Sequence, residues 1–446
     1  MKYICTILLF IYFLTPNLFS QNLPVIPVPK GINTVPNTPT SPFNQQKNIY
    51  NTPNSHNPHT PHINANTDVR ARNEALIKEV NEHQMQMEIQ RQSDIVTLTK
   101  RGFPLSNEKG TSCYHEAYNE IFSMLNGDLP LQLGRSVFLV ENAYYENEIK
   151  YEDYKQGIDL TVDFCNSIAE YEKLNKDNNI VKNMMIFRYI SDTIQIRDKQ
   201  TNKKIWHYPV KYNYEDYHSK NSFDSHFVTT LMRTRKGQCY SMPLYYLVLA
   251  EAMGAEAFWS FSPKHSFVKI QDEQGVWYNL ELTCKAILSD AHYMNNSYIK
   301  AEALQNRIYL EPLDKTNIIA HQLLELARGY YDKYGYDDFY LKCIDTATQY
   351  LTNNVDALIM KSAYQTRLTL VLGHLLNAPN PDVMKEKSPE AYKHFELMQA
   401  QYKEIDDMGY EELPDDLYAR WLNYIEKEKE KSEKLPSIFI NLPKER

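Results

Sequence analysis

Glycine is scarce, with 13 in 446 residues. So few exclude a glycine-rich phosphate loop and argue against an all-β fold built on glycine turns, leaving helix as the main expectation. Cysteine is also sparse: six, scattered, with no CxxC pair. That spacing excludes a disulfide framework, a structural zinc site and a dithiol exchange motif. Positive charge is in deficit, 48 Lys and Arg against 56 Asp and Glu. A net −8 provides no field that attracts phosphate, which argues against a general nucleic-acid or anionic-membrane binder. Beyond the first twenty residues no apolar run is long enough to cross a bilayer. What is abundant is tyrosine, 34 residues, within an ordinary globular composition of 43% hydrophobic and 23% charged residues. The length predicts two to three domains.

Residues 1–20 read as a cleaved export signal. Lys2 precedes an apolar run from Ile4 to Leu14, and Ser20 supplies a small residue at the expected cut. The mature chain is then expected to be periplasmic or extracellular, with no stable membrane insertion and with an odd number of cysteines, Cys113, Cys165, Cys239, Cys284 and Cys343. Residues 21–67 are rich in Pro, Asn, Thr and Ser and read as a disordered tether, with His56, His59 and His62 as solvated linker residues. Val69, Leu76, Val80, Met87 and Ile95 recur at near-helical intervals and predict an amphipathic helix over 68–105.

Residues 106–312 form the expected catalytic-type domain. Helical patches run over Tyr114–Leu125, Val137–Glu146 and Tyr154–Tyr171; Met184–Ile190, Thr193–Ile196 and Ile205–Tyr212 read as strands, with a turn over 198–203. Pro243, then Leu244, Leu247, Val248 and Met253 at helical spacing, predict a helix closed by Gly254. Cys239 falls at or just before its N-terminus, with Gly237 letting the chain turn into it. Three strand-like runs follow: Ala255–Ser262, His265–Gln271 and Val276–Leu282.

This order has a chemical reading. A thiol attacks a carbonyl as its thiolate, and a helix N-terminus and a nearby imidazolium both lower its pKa. The imidazole in turn needs a carboxylate to fix its tautomer. Taken singly, Cys239 reads as a small buried hydrophobe, His265 as a satisfied strand histidine and Glu281 as a solvated strand residue. Jointly they fit a Cys–His–acid triad. Side chains alternate on a strand, so His265 and Glu281 share a face only under one parity. Pairing Gln271 with Gly275 sets them directly opposite across a three-residue loop, Asp272–Gln274, with Gly275 in a left-handed conformation at its end. An even-length loop would separate them.

The segment Lys236–Thr283, KGQCYSMPLYYLVLAEAMGAEAFWSFSPKHSFVKIQDEQGVWYNLELT, resembles the core of the transglutaminase-like superfamily, relatives of papain-type thiol enzymes. The resemblance implies an α+β fold, a Cys-bearing helix packed on antiparallel strands, with Cys239 as nucleophile, His265 as base and Glu281 as acid. Glu281 departs from the usual Asp. The family also implies an oxyanion donor from the backbone N–H of Cys239 and a second from an upstream side chain that the sequence does not identify.

Residues 313–446 read as an all-α domain. Leu326–Leu358 resembles one tetratricopeptide unit, with Thr352 where a proline is usual. Further helices are expected over Ser388–Met408 and Asp415–Leu435, and the charge run Glu426–Lys434 reads as a solvated helix end. The sequence thus predicts an exported cysteine-dependent acyl-transfer enzyme hydrolysing a peptide or peptidoglycan-type amide, with no cofactor and no metal. The competing readings are an inactive scaffold that binds a protein partner through its C-terminal helices and, more weakly, metal binding by Cys239, His265 and His226.

Overall fold

The computed structural model describes residues 65–197, 204–217, 219–413, 416–421, 423 and 442–444. The expected export signal, the tether up to residue 64, the turn over 198–203 and the charge run Glu426–Lys434 lie outside them. The fold is mixed α+β and mostly helical.

Helix α1 spans Ala65–Arg101. Over its first two-thirds Val69, Leu76, Val80 and Met87 are exposed, and the pairs Arg70–Glu74 and Lys78–Glu82 join successive turns. From Ile89 onward the chain is one compact unit with a single core running from Leu98 to Trp421. Helices α2 (Thr111–Leu125), α3 (Leu133–Tyr144) and α4 (Tyr151–Tyr171) fall where the apolar spacing put them, each extended by a few residues at its N-terminus.

Met184–Ile190, expected as a strand, is instead the body of helix α5, Asn179–Ser191. Eight apolar residues from Ile180 to Ile190 are buried on every side, so the run carries no amphipathic period to reveal it. Asn178 decides the start: its side chain accepts from the N–H groups of Ile180 and Val181. Two short antiparallel strands, β1 (Ile194–Arg197) and β2 (Lys204–His207), follow. Then β3 (Lys211–Tyr212) pairs in parallel with β4 (Lys236–Gly237), across helix α6 (Val228–Thr234).

Helix α7, Ser241–Met253, is the centre of the fold. It is buried from Ser241 through Ala250 and packs on α3, α4, α5 and α6. Gly254, φ +61°, ends it as expected. Gly237 has a different task from the expected turn: a Cβ there would come within 2.6 Å of both Leu231 Cδ1 and Met242 Cγ. The glycine permits close packing of α6 and α7 against the segment that carries Cys239.

Strands β5 (Phe258–Ser262), β6 (His265–Gln271), β7 (Trp277–Glu281) and β8 (Ala286–Leu288) form an antiparallel meander that packs on α7. The first hairpin is tight, with Ser262 opposite His265. Pro263 sits at the first loop position, where the primed hairpin turns need positive φ, and Lys264 takes the left-handed conformation instead, φ +55°. The second hairpin differs from expectation by two in register. Gln271 pairs with Trp277 rather than Gly275, and the Asp272 N–H donates to Val276 O, leaving the loop Glu273–Gly275. The loop keeps three residues and Gly275, φ +81°, keeps its left-handed place at the end. Parity is therefore preserved, but Glu281 lies diagonal to His265 instead of opposite it.

The C-terminal part is helical. α8 (Asp290–Asn296) and α9 (Ala301–Gln305) lead to α10 (Lys315–Tyr334), which packs on α2, α3 and α11 (Asp338–Ala347). Asp337 caps α11 by accepting from the N–H groups of Phe339 and Tyr340, and Tyr330 Oη donates to its other oxygen. α12 (Val355–Leu375) is capped by Asn354 and packs on α14 (Pro389–Asp407), with α13 (Pro381–Lys387) between them in sequence.

Candidate active site

Cys239 lies two residues before α7, in a connection fixed from both sides. The Gln238 N–H donates to Ser241 Oγ at 2.9 Å, and Ser266 Oγ donates to Cys239 O at 2.6 Å, tying the thiol's backbone to β6. The Cys239 N–H itself makes no hydrogen bond to a described residue. Its thiol is half-buried, 3.9 Å from Lys264 O.

His265 follows directly after the tight turn, and Glu281 ends β7. Their side chains meet: His265 Nε2 lies 2.7 Å from Glu281 Oε2, with 4% and 0% of the two residues exposed. A diagonal pair is separated by more than a directly opposed one, and the extra methylene of Glu over Asp supplies reach along the strand. The carboxylate is held by two further donors. Tyr293 Oη on α8 donates to Oε2 at 2.8 Å and the Thr283 N–H to Oε1 at 2.9 Å. Tyr293 is itself stacked on Phe267, with ring centroids 4.1 Å apart.

With Nε2 committed to Glu281, Nδ1 is the nitrogen left for the thiol. It is buried and makes no hydrogen bond, so the Cys239–His265 contact is looser than a hydrogen bond in this state. The groups are nonetheless close enough to shift each other. Burial alone would push the imidazole down, but the Glu281 carboxylate and then the Cys239 thiol lift it to about 9. Burial would push the thiol up, and His265 overrides it, holding the thiol below its ordinary value. Glu281 is likewise held low against burial by His265 and its two hydrogen-bond donors. All three directions favour a thiolate–imidazolium–carboxylate arrangement.

Four aromatic residues that sequence reasoning did not single out complete the surroundings. Tyr212, paired with Gly237 two residues before the thiol, is buried, with its hydroxyl beside Cys239 and Tyr418. Burial and then Cys239 hold its proton on firmly. Tyr418 Oη is 3.4 Å from Cys239 Sγ, and the Trp421 ring meets the His265 imidazole edge-on at 4.2 Å. Tyr293 is the fourth. Nothing in 34 tyrosines spread along the chain distinguishes these from the rest; only the folded packing does. A cleft of about 290 Å³ is lined by Cys239, His265, Arg307, Asn317, Asp356 and Tyr410.

His226 is not brought to this site: its Nε2 lies 3.3 Å from Glu325, which Arg328 also pairs. Among the described residues no three His, Cys, Asp or Glu side chains are grouped to hold a metal ion, and all five described cysteines are free thiols. Comparison with protein-family models, curated proteins and solved structures finds no match to the chain.

Proposed function

We propose that the protein is an exported cysteine-dependent acyl-transfer enzyme of the transglutaminase-like and papain-like kind, acting on a peptide or peptidoglycan-type amide. The observation that carries this reading is the 2.7 Å His265–Glu281 pair, buried beside a thiol whose pKa His265 lowers, just before the central helix. The Cys239 thiolate attacks the amide carbonyl carbon, forming the C–S bond and an oxyanion. The Cys239 N–H, which makes no hydrogen bond to a described residue, and the Tyr212 hydroxyl beside the thiol are the donors suited to that oxyanion. His265 gives its Nδ1 proton to the leaving amine as the C–N bond breaks. Neutral His265 then takes a proton from water, which cleaves the thioester and releases the carboxylic acid. An amine in place of water would give transamidation by the same steps.

The test is the pH dependence of Cys239 alkylation by iodoacetamide, read by mass spectrometry, in the wild type and in His265→Ala. Labelling well below the free-thiol pKa of about 8.5, lost in the variant, supports the reading. An ordinary thiol titration indifferent to His265 refutes it. One observation favours the second reading, a scaffold that does not turn over: the thiol already has the Tyr418 hydroxyl against it. The same experiment separates the two.

A further inference from the structure

The C-terminal segment after α14 returns across the molecule to the thiol. It leaves α14 through Gly409, φ +81°, where a Cβ would lie 2.6 Å from the backbone of Ala303. Two surface ion pairs follow, Glu411–Lys300 at 3.2 Å and Glu412 with the half-buried Lys264 at 3.7 Å. Leu413 is buried, and residues 416–421 are helical, which sets Tyr418 and Trp421 three apart on one face with their rings stacked at 5.7 Å. Both are sunk into the site, with 1% and 5% exposed.

Their positions bear on chemistry. A carbonyl carbon must come within about 3–3.5 Å of the attacking sulfur, and the Tyr418 hydroxyl already occupies that shell at 3.4 Å. Trp421 lies against the imidazole that must pass the proton. The outer attachment is weaker than the inner one, because exposed ion pairs contribute little and are screened by salt. Tight aromatic seating with loose surface anchoring is the pattern of a part that can be displaced.

We infer that residues 411–413 and 416–421 form an intramolecular cap that holds the Tyr418 hydroxyl in the attack shell of the Cys239 sulfur, so that substrate in the cleft reaches the sulfur only when the cap is lifted. This rests on the reading of Cys239 as a nucleophile and adds its regulation.

The test uses the full chain and a bulky reagent, a biotinylated maleimide, with Cys239 labelling followed by peptide mass spectrometry. Cys113, the other described thiol that is not buried, serves as internal reference. Two variants are compared with the wild type. Tyr418→Ala with Trp421→Ala removes the plug; Glu411→Lys with Glu412→Lys repels the anchors at exposed positions and leaves the core intact. The expected result is Cys239 labelling at least tenfold faster in the aromatic variant and at least threefold faster in the charge variant, with Cys113 unchanged. Cooperative melting identifies folded variants, and the charge pair stands if the aromatic pair does not fold. Labelling within twofold of the wild type in every folded variant overturns the cap. Faster labelling that follows an ordinary thiol titration keeps the cap and refutes the nucleophile instead, so the two failures are distinguishable.

Discussion

Replacing Glu281 by Gln keeps the shape of the buried pair and removes its charge, so it isolates what the carboxylate does. In the wild type the His265 imidazole is lifted from 6.5 to about 9. That difference of 2.5 units corresponds to about 3 kcal/mol favouring imidazolium. Burial opposes the lift and the Glu281 charge is the largest contribution in its favour. In Glu281→Gln burial therefore prevails, and the titration of His265, followed by NMR of ring-labelled histidine, should fall by more than one unit. The stability consequence follows with its sign. A raised imidazole pKa contributes stability that is complete below 6.5 and lost as pH rises to about 9. The depressed Cys239 thiol contributes in the opposite sense: its share is complete above the unfolded thiol pKa and lost as pH falls. Between 6.5 and the free-thiol pKa of about 8.5 the two oppose each other, because folding favours the proton on imidazole and disfavours it on the thiol. Urea unfolding of the wild type should thus show a weaker pH dependence across that window than His265 alone would impose. In Glu281→Gln the stability should lie about 3 kcal/mol lower, since a buried ionic partner has been removed. A His265 that still titrates near 9 in the Gln variant would refute the assignment of Glu281 as its partner.

Tyr293→Phe removes the 2.8 Å hydrogen bond to Glu281 while keeping the stack on Phe267. It should cost about 1–2 kcal/mol in urea unfolding and lower the His265 titration less than Glu281→Gln does. Gly237→Ala drives a Cβ into Leu231 and Met242, and should cost about 1–3 kcal/mol and shift the pH profile of Cys239 alkylation. Gly275→Ala imposes a Cβ at φ +81° that meets only Gln271 Nε2, at an ordinary 3.6 Å, so about 1 kcal/mol of stability should be lost with Cys239 alkylation unchanged. Asn178→Ala strips the cap of α5 and should lower stability by about 1 kcal/mol, with unchanged alkylation again the control.

The order Cys239, His265, Glu281 and the parity that puts the last two on one face were legible because strand alternation is local. Gly254 and Gly275 were legible for the same reason: a left-handed residue is demanded by the few bonds around it. The register itself was not, since a shift of two residues preserves every alternation; the Asp272 carboxylate, accepting from the Gln274 and Val276 N–H groups, closes the loop at 273–275. Helix α5 was misread because a run buried on all sides has no period, and its cap at Asn178 is one polar residue among several. Sequence alone thus determined the chemical types and their chain order, as well as the helix start that favours a thiolate. Tertiary structure decided what surrounds them: the diagonal that suits Glu, the Tyr212 hydroxyl beside the thiol, the return of Tyr418 across 179 positions of chain to Cys239, and the placing of Trp421 against His265. Contacts at that separation leave no periodic trace, because nothing local depends on them.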